Sequence, residues 1–236
     1  MENDVKEFLS ELLKQLKSID YIKPEDIPNI DLYMDQVTTF MDEQLAASKR
    51  YESDKILTKT MINNYAKNNL LPSPDKKKYS KEHVLTLLFI YYFKNILSIN
   101  DIRSILNPLT EKYFGNDDGF TMQDVYTEVF SLEAEESQKL LKDLGKKYKI
   151  AGETFENFPD EDQKFLHTFS FICMLSFDVY IKKMLIERMI DNLNEEKEAS
   201  SHIQEKKVKK QAQINEPVFL FPYDKLILFV RAILHA

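Results

Sequence analysis

The sequence predicts a mainly α-helical protein, and three observations predict this class. Its 236 residues contain only four glycines, too few for a fold built on many tight turns. Residues that favour helices, chiefly Lys, Glu, Leu, Ile and Met, dominate the chain. Apolar side chains recur at helical spacing through most of its length. With 43% hydrophobic residues, the chain can also bury a sizeable core.

The N-terminal segment, residues 1–26, is predicted to be an amphipathic helix. Seven apolar side chains recur there at helical spacing: Val5, Phe8, Leu9, Leu12, Leu13, Leu16 and Ile19. The segment is acidic and does not resemble a signal peptide. Cys173 is alone, which excludes an intramolecular disulfide and fits a cytoplasmic protein. The most apolar long stretch, 165–185, contains charged residues, so we expect no contact with a membrane.

Residues 27–115 contain several sequence signals for the starts and ends of helices. A helix is predicted over 31–47, followed by a polar link and by a second helix, which Thr58 caps and which runs to about Asn69. Pro72 and Pro74 stop that helix, and a lysine-rich hairpin leads into a strongly apolar third helix that starts at Ser80. A capping box over 98–101 opens a short helix.

The second half of the chain is predicted to be helical as well. Asn107-Pro108 predicts a break, and 115–119 predicts a domain boundary. A winged helix-turn-helix domain would then occupy 27–115, and a helical C-terminal domain 116–236. Within that domain we predict helices over 121–147, broken or kinked near Ser131, from Pro159 to about Leu193, and over 223–235. Residues 194–216 are predicted to be a helical extension or a link.

The order of elements over 57–106 is the order that a winged helix-turn-helix requires, and such modules usually bind duplex DNA. The whole chain carries a net charge of −7, whereas residues 50–113 carry 11 Lys and Arg against 6 Asp and Glu. Lysines neutralise phosphates, Asn pairs with adenine edges in the major groove, and Tyr donates to phosphate oxygens. The candidate DNA-binding residues are Thr58, Lys59, Thr60, Asn63, Asn64, Tyr65, Lys67, Lys76, Lys77, Lys78 and Tyr79.

Two family resemblances rest on these residues. The string TKTMINNYAKNNLLPSP, with KYSKEHVLTLLFIYYF after it, resembles the MerR-type winged helix head. The resemblance places Thr58 at that family's cap residue, Asn63 at its Arg and Tyr65 at its second Tyr. The longer string that starts at IPNIDLYMDQVTTFMDEQL is similar to a bacterial family, domain of unknown function 1836, over about residues 27–130. That resemblance implies a MerR-like DNA-binding head and no particular chemistry.

No pattern in the chain favours an enzyme, a metal or a cofactor. The four His residues have no His or Cys partner at metal-binding spacing. His167, Cys173 and Asp178 do not share one helix face, so we do not expect a nucleophilic site there. The turn over 116–119 resembles a calcium loop, but with Gly119 at the sixth loop position Phe114 and Val125 fall at the first and last positions, where carboxylates are required.

We therefore expect a transcriptional regulator that binds double-stranded DNA as a homodimer. Its C-terminal half is the candidate site for a small-molecule or protein effector. A protein–protein adaptor that uses the winged helix as a scaffold is the alternative. A third interpretation treats 58–80 as a polar surface helix and loop without a ligand. The aromatic and Met side chains of 165–190 are either a ligand pocket or a core or dimer seam, and the latter is the commoner use of such a pattern.

Overall fold

The computed structural model describes residues 22–116 and 119–214, together with residues 7, 10, 11 and 14. The described residues form seven α-helices and one two-stranded sheet, which confirms the mainly helical class. The chain divides into two compact units, residues 1–190 and 191–236. Most of the predicted N-terminal helix and the whole of the predicted helix over 223–235 lie outside the described residues.

The first unit begins with a short 3-10 helix, Pro24–Asp26, and a two-residue strand. Strand β1, Leu32–Tyr33, leads directly into helix α1, Met34–Gln44, and a second 3-10 helix, Ala46–Ser48, follows. Helix α2 spans Lys59–Lys67 and strand β2 spans Lys78–Tyr79. The two strands pair antiparallel, with Leu32 opposite Tyr79 and Tyr33 opposite Lys78.

Five further helices follow β2. They are α3 (Lys81–Phe93), α4 (Ile99–Tyr113), α5 (Met122–Ser131), α6 (Glu133–Gly152) and α7 (Asp160–Ile214). The predicted break or kink near Ser131 is confirmed as a break, since α5 ends at Ser131 and α6 begins at Glu133. Helix α7 includes the predicted extension beyond Leu193, and its residues from 191 onward belong to the second unit.

Helix α3 is the centre of the core, as its uniformly apolar sequence predicts. Every residue from His83 to Tyr91 is buried, including His83 and Thr86. The N-terminal elements and α2 pack against this helix with α4 and α5, and their buried side chains form one continuous cluster. A helix buried on all sides fixes the positions of the amphipathic helices around it.

The same core continues beyond residue 115, since it includes three side chains of α5: Met122, Tyr126 and Phe130. The phenol of Tyr126 donates a 2.8 Å hydrogen bond to the carbonyl of Ile22. This buried contact joins α5 to Ile22, which lies two residues before the first 3-10 helix.

The predicted break at Asn107-Pro108 is wrong, because Pro108 lies inside α4. Ile102 and Leu106 on the same helix are fully buried. Their packing outweighs the backbone hydrogen bond that a proline removes from a helix interior. The Thr110 hydroxyl donates to the carbonyls of Leu106 and Asn107, at 3.2 and 3.1 Å.

The 14-residue link between α1 and α2 is held in place at several points, although its sequence is polar. Ile56 and Leu57 are buried. The Lys94 ammonium donates to the Ile56 carbonyl at 2.6 Å, and burial lowers the pKa of Lys94. Ser48 forms a short hydrogen bond with Tyr91 of α3. These contacts fix α2 relative to α1 despite the long connection.

Polar groups and an aromatic pair, Tyr148 with Phe171, connect the helices α6 and α7. Lys147 of α6 pairs with Asp143 and with Asp178 of α7, and these hydrogen bonds raise the pKa of Lys147. The His167 ring lies 2.8 Å from the Thr154 carbonyl. In the part of the chain that the structure describes, no helix is both long and apolar enough to cross a membrane.

Candidate nucleic-acid interface

Helix α2 presents one polar face to solvent. As predicted, Thr58 caps it, since its hydroxyl accepts a 3.2 Å hydrogen bond from the Met61 amide. Ile62 and Tyr65 are buried against the core and hold the opposite face. The five candidate side chains of the outer face are all exposed: Lys59, Thr60, Asn63, Asn64 and Lys67.

The C-terminal end of α2 is closed by Asn69, which has a left-handed backbone with a φ of 55°. The Leu70 amide donates to the Tyr65 carbonyl at 2.9 Å, and the Asn69 amide donates to Ala66 at 3.2 Å. This pair of bonds is a Schellman motif, and Asn is one of the few residues that occupy its left-handed position. The Leu70 and Leu71 side chains that follow are buried in the core.

The three lysines of the predicted hairpin lie in a tight turn. Lys76 and Lys77 have φ values of 47° and 67°, and the Lys78 amide donates to the Asp75 carbonyl at 2.8 Å. Two positive φ angles in succession define a type I′ turn, which Asn and Gly normally occupy. All three lysine side chains are exposed. We call residues 76–78 the lysine turn.

The start of α1 connects the lysine turn to α2. Tyr33 pairs with Lys78 in the small sheet, and the Lys78 ammonium lies 5.6 Å from the centre of the Tyr33 ring. Two residues later, the Asp35 carboxylate forms an ion pair with Lys59 in the first turn of α2. Both basic elements therefore contact the N-terminal end of the same helix.

Two of the predicted site residues are buried rather than exposed. Tyr65 and Tyr79 both belong to the core, and burial raises the pKa of each phenol. Neither side chain offers a surface for a phosphate contact. Thr58 is half-buried and serves the helix end.

Two residues at this surface were not predicted from the sequence. Tyr33 supports Lys78, and Asp35 pairs with Lys59. Local pattern carries no signal for either contact, because each joins segments that are more than twenty residues apart in the sequence.

His83 is buried in the first turn of α3, next to Tyr79. Its Nδ1 atom accepts a 3.0 Å hydrogen bond from the Ser80 amide, which completes a capping box. The ring packs edge-on against Tyr79 and Phe114, with ring centres 5.5 and 4.7 Å away. Burial lowers the pKa of His83, and the backbone of Ser73, the Asp31 carboxylate and the backbone of Pro72 act in the opposite direction. Among the described residues, no group of three or more His, Cys, Asp and Glu side chains is placed to hold a metal ion.

The position of the core and of this surface agrees with a comparison against protein families. Residues 22–129 match the family described as Domain of unknown function (DUF1836). The match supports the DUF1836 family for this segment. It begins at Ile22, which accepts the Tyr126 hydrogen bond, and ends one residue before Phe130, so the DUF1836 segment coincides with the main core. No curated protein matches the chain, and no solved structure matches it.

Proposed function

We propose that the DUF1836 segment is a MerR-like winged helix-turn-helix that binds double-stranded DNA and regulates transcription. The observation that carries the proposal is that the polar face of α2 and the lysine turn are both exposed and both contact the start of α1. In a winged helix, the recognition helix enters the major groove and the turn contacts the backbone beside it. Helix α2 and the lysine turn supply those two elements.

The side chains of α2 suit base recognition. Asn63 and Asn64 are exposed in the second turn, and an Asn amide pairs bidentately with the edge of adenine. Lys59 and Lys67 lie one turn to either side of Asn63, at a spacing suited to flanking phosphates. The buried Ile62 and Tyr65 hold this face rigidly.

Charge supports the same assignment. Residues 50–113 carry a balance of +5 within a chain of −7, and the lysine turn concentrates three of those cations. The acidic remainder of the chain disfavours other docking orientations on a polyanion.

The direct test is a salt titration of binding to labelled duplexes selected from a random-sequence pool, measured by fluorescence anisotropy. We expect the binding constant to fall steeply with salt, with a slope of about 0.9 per neutralised phosphate. Changing Lys76, Lys77 and Lys78 together to Ala lowers that slope by about 2 to 3. Changing the three exposed lysines Lys142, Lys146 and Lys149 of α6 to Ala is the matched control and leaves the slope unchanged.

Two outcomes contradict the proposal. One is the absence of salt-dependent binding by the unaltered chain, and the other is an equal loss in both triple variants. Asn63→Ala adds a test of base recognition, because a lost bidentate pair relaxes preference at one base position by about 1–3 kcal/mol.

A second candidate function, a protein–protein adaptor, is favoured by a groove of about 340 Å³ beside α1. Its apolar lining includes Pro28, Leu32 and Phe40. If the chain is an adaptor, we expect no duplex to be selected from the random-sequence pool. We also expect Phe40→Ala to remove binding to a captured protein, and the lysine substitutions to leave that binding unchanged.

A further inference from the structure

Helices α6 and the first part of α7 bury very little within one chain. Of the side chains described between residues 133 and 189, only Ala151 and Phe171 are buried. Contacts between the two helices include the Lys147–Asp178 ion pair, the Tyr148–Phe171 ring contact and a 3.2 Å hydrogen bond from Thr154 to Ser170. A helix pair of this length normally owes its stability to the packing of apolar faces, whereas much of the apolar surface of α7 is exposed here.

The face of α7 opposite to these contacts is apolar. Phe165, Phe169, Ile172 and Val179 follow one another at intervals of 4, 3 and 7 residues, with Ser176 completing the alternation of 4 and 3. This spacing places all five on one side of the helix, as in the a and d positions of a coiled coil. We call these residues the outer stripe. Its four apolar members are 51–70% exposed.

The outer stripe exposes a large apolar area for one helix face. Its four apolar members, with Tyr180 beside them, are each more than half exposed and leave about 500 Å² of apolar surface in water. A standard interface buries about 800 Å² on each partner, whereas monomers rarely expose apolar patches beyond a few hundred Å².

The charges around the outer stripe favour an identical surface as its partner. Between residues 165 and 181, Asp178 is the one acidic side chain and no Lys or Arg is present. Asp178 is paired with Lys147 on the α6 side, and His167 faces Thr154 there. Two copies of the stripe therefore meet without like charges facing each other, as a two-fold interface requires.

We propose that the outer stripe of α7 is a self-association surface, and that two copies of this chain pack α7 against α7. The four helices α6 and α7 of the two copies then bury the apolar side chains that one copy leaves in water, in the manner of a four-helix bundle. The proposal does not depend on DNA binding, and its test contains no DNA.

The test is sedimentation equilibrium of the full chain, with far-UV circular dichroism as a check on folding. We expect a mass of about twice 27.9 kDa for the unaltered protein. Phe165→Gln, Phe169→Gln and Ile172→Gln together should weaken association by on the order of 100-fold or more, since central apolar anchors dominate interfaces. Ile30→Gln, Phe120→Gln and Val129→Gln, which change three exposed apolar side chains elsewhere, form the matched control and leave the dimer intact.

A nitroxide on Cys173, the exposed free cysteine next to Ile172, gives a second measurement on the otherwise unaltered chain. If α7 packs on α7, the two nitroxides lie close together and dipolar coupling broadens the electron paramagnetic resonance spectrum. Dilution with unlabelled protein should remove this broadening. A monomer at every accessible concentration would overturn the proposal. A dimer that persists after the three substitutions in the outer stripe would also overturn it. So would binding of the chain to lipid vesicles without any self-association.

Discussion

Lys59 at the start of α2 forms an ion pair with Asp35 in the first turn of α1. Both side chains are mostly exposed, so the pair contributes less than about 1 kcal/mol to the free energy of unfolding. Its larger effect concerns DNA, because Asp35 neutralises a cation of the proposed recognition helix. The carboxylate also places a negative charge where we expect a phosphate backbone.

We therefore predict that Asp35→Asn strengthens DNA binding. The released Lys59 takes part in an additional phosphate contact and raises the salt slope by about 0.9. Anisotropy titrations at several salt concentrations measure both quantities. Asp160→Asn, which removes an acid far along the sequence at the start of α7, is the control and leaves the slope unchanged. Unaltered or weaker binding by Asp35→Asn would show that Lys59 is not directed at DNA.

A second prediction concerns the strained lysine turn. Lys77→Gly removes the cost of a left-handed backbone at a non-glycine residue and should raise the free energy of unfolding by about 1 kcal/mol. The same change removes one cation and lowers the DNA salt slope by about 0.9. Urea denaturation and anisotropy together separate the two effects. Lys67→Gly in the last turn of α2 is the control with the opposite sign, since glycine destabilises a helix by about 1 kcal/mol.

The cap of α2 gives a third prediction. Thr58→Ala removes the acceptor for the Met61 amide and should lower the free energy of unfolding by about 1 kcal/mol. Thr60→Ala changes an exposed residue within the same helix and should not lower the free energy of unfolding, because alanine is the better helix former. Equal midpoints for the two variants in urea would mean that the cap does not stabilise α2.

The fourth prediction is a dependence of stability on pH that arises from His83. Burial lowers the pKa of His83 in the folded protein, so the unfolded chain binds a proton more readily. The contribution to stability is complete above the ordinary His pKa of about 6.5 and is lost as the pH falls through that value towards the folded pKa. The slope is at most about 1.4 kcal/mol per pH unit for one proton.

His83→Gln isolates this effect, since a Gln at the third helical position also accepts from the Ser80 amide. Urea titrations between pH 7.5 and 5 — a window set by the ordinary pKa — should show a smaller loss of stability for the variant than for the unaltered chain. Parallel pH curves for the two proteins would assign the dependence to other groups.

Local signals in the sequence predicted the helices well where side chains cap their own helix. Thr58, Ser98 and Thr121 each accept the amide hydrogen bond that the pattern implies, and the uniformly apolar α3 is the core helix. Pro108 misled the prediction, because the packing of α4 outweighs a local preference.

The candidate surface depended on contacts that are distant in the sequence, and these were predicted less well. Whether Tyr65 and Tyr79 face solvent or the core depends on how α2 and β2 pack on α3, which spacing alone leaves open. The pairing of Tyr33 with Lys78 joins segments 45 residues apart. Likewise, the sequence of the polar link between α1 and α2 did not predict its hydrogen bonds to Lys94 and Tyr91.

The attachment of α7 to the main core has a consequence for the motion of that helix. Ile190 is buried among the core side chains, and the Lys183 ammonium donates to the Ile96 carbonyl just after α3, at 2.9 Å. Any event that twists or slides α7 must therefore either carry the end of α3 with it or pull Ile190 out of its place. A movement of α7 should therefore change the rate of amide hydrogen exchange near Ile96, although Ile96 is distant in sequence from the polar face of α2.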